Sequence, residues 1–167
     1  MKEYRFAIIF AILTVVQIVL CNYLNLSRFV VLSILPVLVL MLPIRWGNIP
    51  MMFAGFALGF VVDFFSTGML GLTSVALVPA ALSRNGLVML LFGDELGTRE
   101  GDLGASRFGI PKFVLATLMM CALYFAVYVW VDAAGTLGFW AMALRFALSV
   151  LVSTPVCILV ARILRPE

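Results

Sequence analysis

The sequence predicts an all-α integral membrane protein, a six-helix transmembrane bundle, on three observations. Of the 167 residues, 65% are hydrophobic and only 11% charged, at a mean hydropathy of +1.20. A water-soluble domain carries about 25% charged residues, so much of this chain's surface must face something other than water. The apolar residues also come in runs near the ~20 that a bilayer requires, separated by short turns. No segment alternates as a strand does, and neither a repeat nor a soluble domain interrupts the pattern, so residues 1–167 read as one transmembrane domain.

The elements follow in order. A basic start with Lys2 and Arg5 leads into a first span at about 6–24. Its apolar run exceeds that of a signal peptide and no Ala-x-Ala cleavage site follows. Gln17 and Asn22, its polar members, read as a helix-helix hydrogen bond or an interfacial cap. The second span, 29–43, is short and carries Pro36, which removes a backbone hydrogen bond, so it is expected to be kinked or incomplete. The third span, 50–66, and the fourth, 69–92, form a hairpin around a Ser-Thr-Gly turn, with Arg84-Asn85-Gly86 interrupting the fourth run. Residues 93–112, with five glycines and half of the acids, read as a mobile loop. The fifth span, 113–131, places Tyr124, Tyr128 and Trp130 near an interface, and the sixth, 139–161, contains Arg145 and Pro155.

Six spans put both termini on one side. With the N-terminus inside, Lys2, Arg5, Arg45, Arg84, Arg99, Arg107, Lys112, Arg162 and Arg165 are cytoplasmic, leaving Arg28 outside and Arg145 within a helix. The reverse arrangement breaks the positive-inside rule. A multi-pass protein of the cytoplasmic membrane is expected, with a cytoplasmic 93–112 loop and with Asp63 and Asp132 towards the outer face. The eleven basic residues are scattered, which favours lipid and topology over nucleic acid as their purpose.

The stretch Gly55-Phe-Ala-Leu-Gly59-Phe-Val-Val-Asp63 is the most distinctive. On a helix Gly55 and Gly59 fall roughly 40° apart and Asp63 roughly 80° from Gly55, so one face is lined by small residues and ends in an acid. Small-xxx-small faces let helix backbones approach closely, and an intramembrane acid belongs against protein. Asp63 is expected to cap the following turn through the Gly68 to Gly71 amides, to contact a partner, or to pair with Arg145, which otherwise snorkels to headgroups. Gly55, Gly59, Asp63, Gly68, Gly71 and Arg145 are thus the candidate packing or partner residues.

Chemistry has little to work with. There is no histidine, which removes the commonest general base and metal ligand, and Cys21, Cys121 and Cys157 show no metal-binding or disulfide spacing and read as small core residues. Phosphate-loop, serine-hydrolase and zinc-protease motifs are absent. No enzyme activity, cofactor or metal is expected.

The order of features resembles the MreD family, the small membrane component of the bacterial elongation machinery. The likeness rests on Gln17 with Asn22, on Leu42-Pro43 with Arg45, on Phe53 to Ser66 followed by Gly68 and Leu70-Gly71, on the Arg84 region, and on Pro155 before a basic C-terminus. The resemblance implies a non-enzymatic scaffold that binds MreC and, through it, links the MreB cytoskeleton to RodA and a class B penicillin-binding protein in peptidoglycan synthesis. The family is similar in architecture to the S-components of energy-coupling-factor transporters, which supplies the alternative, a substrate-binding transporter subunit.

Overall fold

The computed structural model describes residues 2–23, 30–42, 47–66, 69–96, 110–133 and 138–164. Among them are six helices: α1 (Lys2–Tyr23), α2 (Leu35–Leu40), α3 (Asn48–Phe65), α4 (Leu72–Leu96), α5 (Ile110–Ala133) and α6 (Phe139–Leu164). Four hold stretches long and apolar enough to cross a membrane, namely Asn48–Phe65, Leu72–Leu91, Pro111–Ala133 and Phe139–Arg162, while α1 contains the shorter apolar stretch Ile8–Asn22.

The long helices form a closed ring. α1 packs on α3, α3 on α4, α4 on α5, α5 on α6, and α6 back on α1, while the short α2 touches all five from inside. Leu35, Val37, Leu38 and Val39 have no exposed surface, so the core of the protein is built on its shortest helix. The ring shows the opposite habit. Only 28–39% of the apolar windows of α3 to α6 is buried, and Phe53, Met89 and Leu151 stand outward. Such a surface is unfavourable in water but matches the hydrocarbon of a bilayer.

The second span is a much shorter helix than its expected bounds of 29–43. It is helical only over Leu35–Leu40, with residues 31–34 non-helical. Pro36 sits in the first turn of α2, where its missing N–H has no intrahelical partner to lose. α4 runs without a break through Arg84-Asn85-Gly86, the point at which the apolar run is interrupted, because neither Asn nor a single Gly is enough to stop a helix held on two sides by packing. The expected loop is correspondingly shorter, since α4 extends to Leu96 and α5 starts at Ile110; residues 97–109 lie outside the described residues. Tyr124 is a core residue, 1% exposed and 5.7 Å from Tyr128 between ring centroids, while Trp130 alone of the three expected interfacial aromatics is strongly exposed.

The α3–α4 hairpin is the closest helix pair and the two glycines explain it. A Cβ built on Gly59 would lie 2.5 Å from the Cα of Ser74 and 2.6 Å from its N, and one on Gly55 would lie 3.0 Å from the Ala81 Cβ. Both glycines therefore face α4 of the same chain. At Gly59 the overlap with the Ser74 backbone is severe, whereas at Gly55 the nearest atom is the Ala81 methyl, itself fixed to its backbone but about half an ångström further away, so the helices need give much less. Gly59→Ala is expected to destabilise the protein by about 1–3 kcal/mol through overpacking, even after the gain in helix propensity. Gly55→Ala should be close to neutral, the gain of about 1 kcal/mol in propensity offsetting the tighter contact. SDS titration of the folded protein in mixed micelles, followed by circular dichroism, measures both; equal effects at the two sites would contradict the difference in contact.

Candidate functional site

The non-helical residues 31–34 run into the ring, Val31 and Leu32 half-buried and Ser33 and Ile34 buried, against residues in mid-α6 and the second half of α1. In hydrocarbon, non-helical backbone persists only where protein satisfies it. Here each edge of the segment has its own donor and acceptor set. On one edge, the Val31 N–H donates to Ser149 Oγ at 3.0 Å and the Ser33 N–H to Ser153 Oγ at 3.2 Å. The Ser153 hydroxyl donates back to the Val31 carbonyl at 3.3 Å, and the Cys157 thiol donates to the Ser33 carbonyl at 3.4 Å. On the other edge Gln17 reads the alternate residues, accepting from the Ile34 N–H at 2.8 Å and donating to the Leu32 carbonyl at 3.4 Å. Alternation of partners between odd and even residues is that of an extended strand. Ser149, Ser153 and Cys157, spaced by four along one face of α6, act as the neighbouring strand would.

Asp63 stands at the end of α3, 4% exposed, and its carboxylate faces the start of α4. Gly71 precedes α4 with φ of 93°, a left-handed conformation that favours glycine, and its carbonyl accepts the first helical bond from Val75 at 2.9 Å. Gly71 thus occupies the cap position but has no side chain with which to cap. Asp63 does so from the preceding helix, its Oδ2 accepting from the N–H groups of Gly71 at 3.0 Å, Thr73 at 3.0 Å and Ser74 at 3.2 Å. These amides have no partner within their own helix, and the positive end of the α4 dipole favours the carboxylate charge. Of the expected amides, Gly71 contributes, and Gly68 lies outside the described residues.

Arg145 does not meet Asp63. It pairs with Asp132, Nη1 to Oδ2 at 2.5 Å, with only 15% and 24% of the two side chains exposed, which also replaces the snorkelling expectation. The reason is position: α5 extends to Ala133, which brings Asp132 alongside the start of α6, whereas the Asp63 oxygens are taken by α4.

Arg84 is the second correction. Counted in the sequence among the cytoplasmic basic residues, it is fully buried in mid-α4. Its Nε donates to the Leu40 carbonyl at 3.1 Å and its Nη2 to the Leu42 carbonyl, both at the end of α2, where helical carbonyls have no intrahelical donor. Nη1 donates to Asn85 Oδ1 at 3.1 Å, and Asn85 in turn donates to Asn48 Oδ1 at 2.6 Å, tying the start of α3 into the same network.

Family models, curated proteins and solved structures were all compared with the chain, and none matches. The geometry is therefore the guide to chemistry. Among the described residues no group of three or more Cys, Asp or Glu side chains could hold a metal ion. An apolar cleft of about 380 Å³ opens between α4, α5 and α6, lined by Leu87, Met119, Ala122, Leu123, Ala126 and Phe146. The residues that sequence reasoning missed are Ser149, Ser153 and Cys157, and the available signal was their four-residue spacing in an otherwise apolar span.

Substitutions at two positions test these assignments. Asp63→Asn turns an amide NH2 or a single neutral oxygen towards three donors, and the loss of charge-assisted bonds is expected to lower stability by about 2 kcal/mol in SDS titration. A variant as stable as the parent would show that the amides are satisfied without the charge. Arg84→Met leaves two buried carbonyls without donors and should lower stability by at least about 2 kcal/mol, with Arg84→Lys intermediate because an ammonium lacks the guanidinium fork. Equal stability of Arg84→Met and the parent would contradict a capping role.

Proposed function

We propose that this chain is a non-enzymatic membrane scaffold of the bacterial cell-shape machinery, an MreD-type protein that binds MreC and through it joins MreB to RodA and a class B penicillin-binding protein. One observation carries this reading: five buried or half-buried polar side chains are engaged with the backbone of the chain itself, while Arg145 pairs with Asp132 and keeps its buried Nε without a partner. Asp63 holds the start of α4, Arg84 the end of α2, and Gln17, Ser149 and Ser153 the segment between α1 and α2. These groups fix the shape of the ring and leave its outside apolar, with Phe56, Phe60 and Phe64 stacked along α3 at centroid spacings of 6.1 and 6.4 Å. A rigid body with apolar flanks is suited to docking other membrane helices by packing.

The sequence resemblance over Gly55 to Gly71 supplies the identity of the partners, and the distribution of basic residues supplies the proposed orientation, both termini in the cytoplasm and the protein in the cytoplasmic membrane. The likeness of a six-helix chain to S-components of energy-coupling-factor transporters belongs to the same proposal as a likeness of architecture.

Crosslinking and pull-down of the full chain from its native membrane, with mass spectrometry of the co-purified proteins, tests the reading. Recovery of MreC or the elongation synthase is expected. Recovery of a paired ATPase with a coupling membrane protein, in their place, would make the chain a transporter subunit and overturn the scaffold assignment.

A further inference from the structure

Cys121 of α5 and Cys157 of α6 face each other inside the ring, sulfur to sulfur at 3.8 Å, and neither has exposed surface. Cys157 has a second role, since its thiol donates to the Ser33 carbonyl at 3.4 Å and so holds one edge of the buried extended segment. We propose that the pair is a redox latch: oxidation by a lipid-soluble quinone joins Cys121 to Cys157 and withdraws the donor that holds Ser33.

In that step both S–H bonds break and one S–S bond forms. Two electrons and two protons pass to the quinone, which leaves as the quinol. The sulfurs must approach by about 1.8 Å to reach a bond length of ~2.05 Å, a movement on the scale of a side-chain rotation between helices already in contact. Neither sulfur is exposed, so the oxidant reaches them only when α5 and α6 part transiently on their lipid side, which a bilayer-soluble quinone can exploit and a charged peptide disulfide cannot. Cys21 lies outside the pair, on α1, where its sulfur accepts from Gln17 Nε2 at 3.1 Å.

A disulfide sulfur has no hydrogen to donate. Oxidation therefore links α5 covalently to α6 and at the same moment leaves the Ser33 carbonyl without its thiol donor in a place that water does not reach. The Gln17 edge and the Ser153 bonds remain, so the segment opens more often without leaving its site. An unmet buried carbonyl raises the opening equilibrium of residues 31–34 by about tenfold.

The test uses the full chain in lipid nanodiscs, treated with a fully substituted benzoquinone or with oxidised glutathione. Alkylation after denaturation counts free thiols, peptide mapping locates any disulfide, and amide exchange follows residues 31–34. The quinone is expected to remove two of the three alkylatable thiols, yield a Cys121–Cys157 peptide and speed exchange about tenfold, with oxidised glutathione doing neither. Cys157→Ser blocks the disulfide yet keeps a hydroxyl donor for Ser33, so its exchange should stay slow with or without quinone. Survival of all three thiols under quinone, a disulfide through Cys21, or unchanged exchange in the oxidised protein would each overturn the latch.

Discussion

Everything in this fold depends on how 31–34, a few residues of non-helical backbone, are kept hydrogen-bonded inside the ring. A helix satisfies its own amides and carbonyls, which is why helices cross membranes; an extended segment does not. The chain solves this with side chains from two directions, Ser149, Ser153 and Cys157 on one edge and Gln17 on the other. Because the two edges of a strand point opposite ways, their partners must come from opposite sides, and this places α1 and α6 around the segment. α2 then follows the segment into the centre of the ring, where it contacts every other helix.

The α3–α4 hairpin shows the same dependence of one contact on another. Gly59 lets the α4 backbone approach to where a Cβ would collide with Ser74, and Asp63 lies one turn further along α3 on the same side. Only at that separation does a short carboxylate reach the Thr73 and Ser74 amides. The glycine and the acid are therefore one device, in which the first sets the distance and the second fixes the angle. At the other end of the pair, Asn48 and Asn85 are hydrogen-bonded to each other, so the hairpin is tied at both ends.

Much of this was legible in the sequence. Helix content and apolar spans follow from hydropathy, and the Gly55, Gly59 and Asp63 face follows from helical spacing, since both depend on the period of a regular element. Pro36 correctly marked the second span as irregular. What stayed hidden depends on contacts between distant parts of the chain. Arg84 read as a cytoplasmic topology residue because a lone arginine in a span has no local reason to be buried, and its reason is the end of α2, 42 and 44 residues earlier. Ser149 and Ser153 drew no notice because serine is common in membrane helices, and only a non-helical neighbour gives their spacing a meaning. The Arg145–Asp132 pair was missed through an element boundary, with Asp132 expected in a turn and found in the last turn of α5.

The use made of charge bears on function. Burying an ion in a bilayer is costly, by about 2.5–3.5 kcal/mol on insertion scales, and the usual recovery of that cost is a substrate, an ion or a proton path. In this chain Asp63 and Arg84 instead meet backbone amides and carbonyls at helix ends, and Arg145 meets Asp132. A charge bound to a helix end resists displacement, because moving it exposes both the charge and the unsatisfied backbone group it was covering. An interior fixed in this way holds the outer faces of the ring in constant relation to one another. On the proposed scaffold reading, constancy of that kind would serve partners docking on the flanks, since each would meet a surface that need not be ordered at the moment of binding.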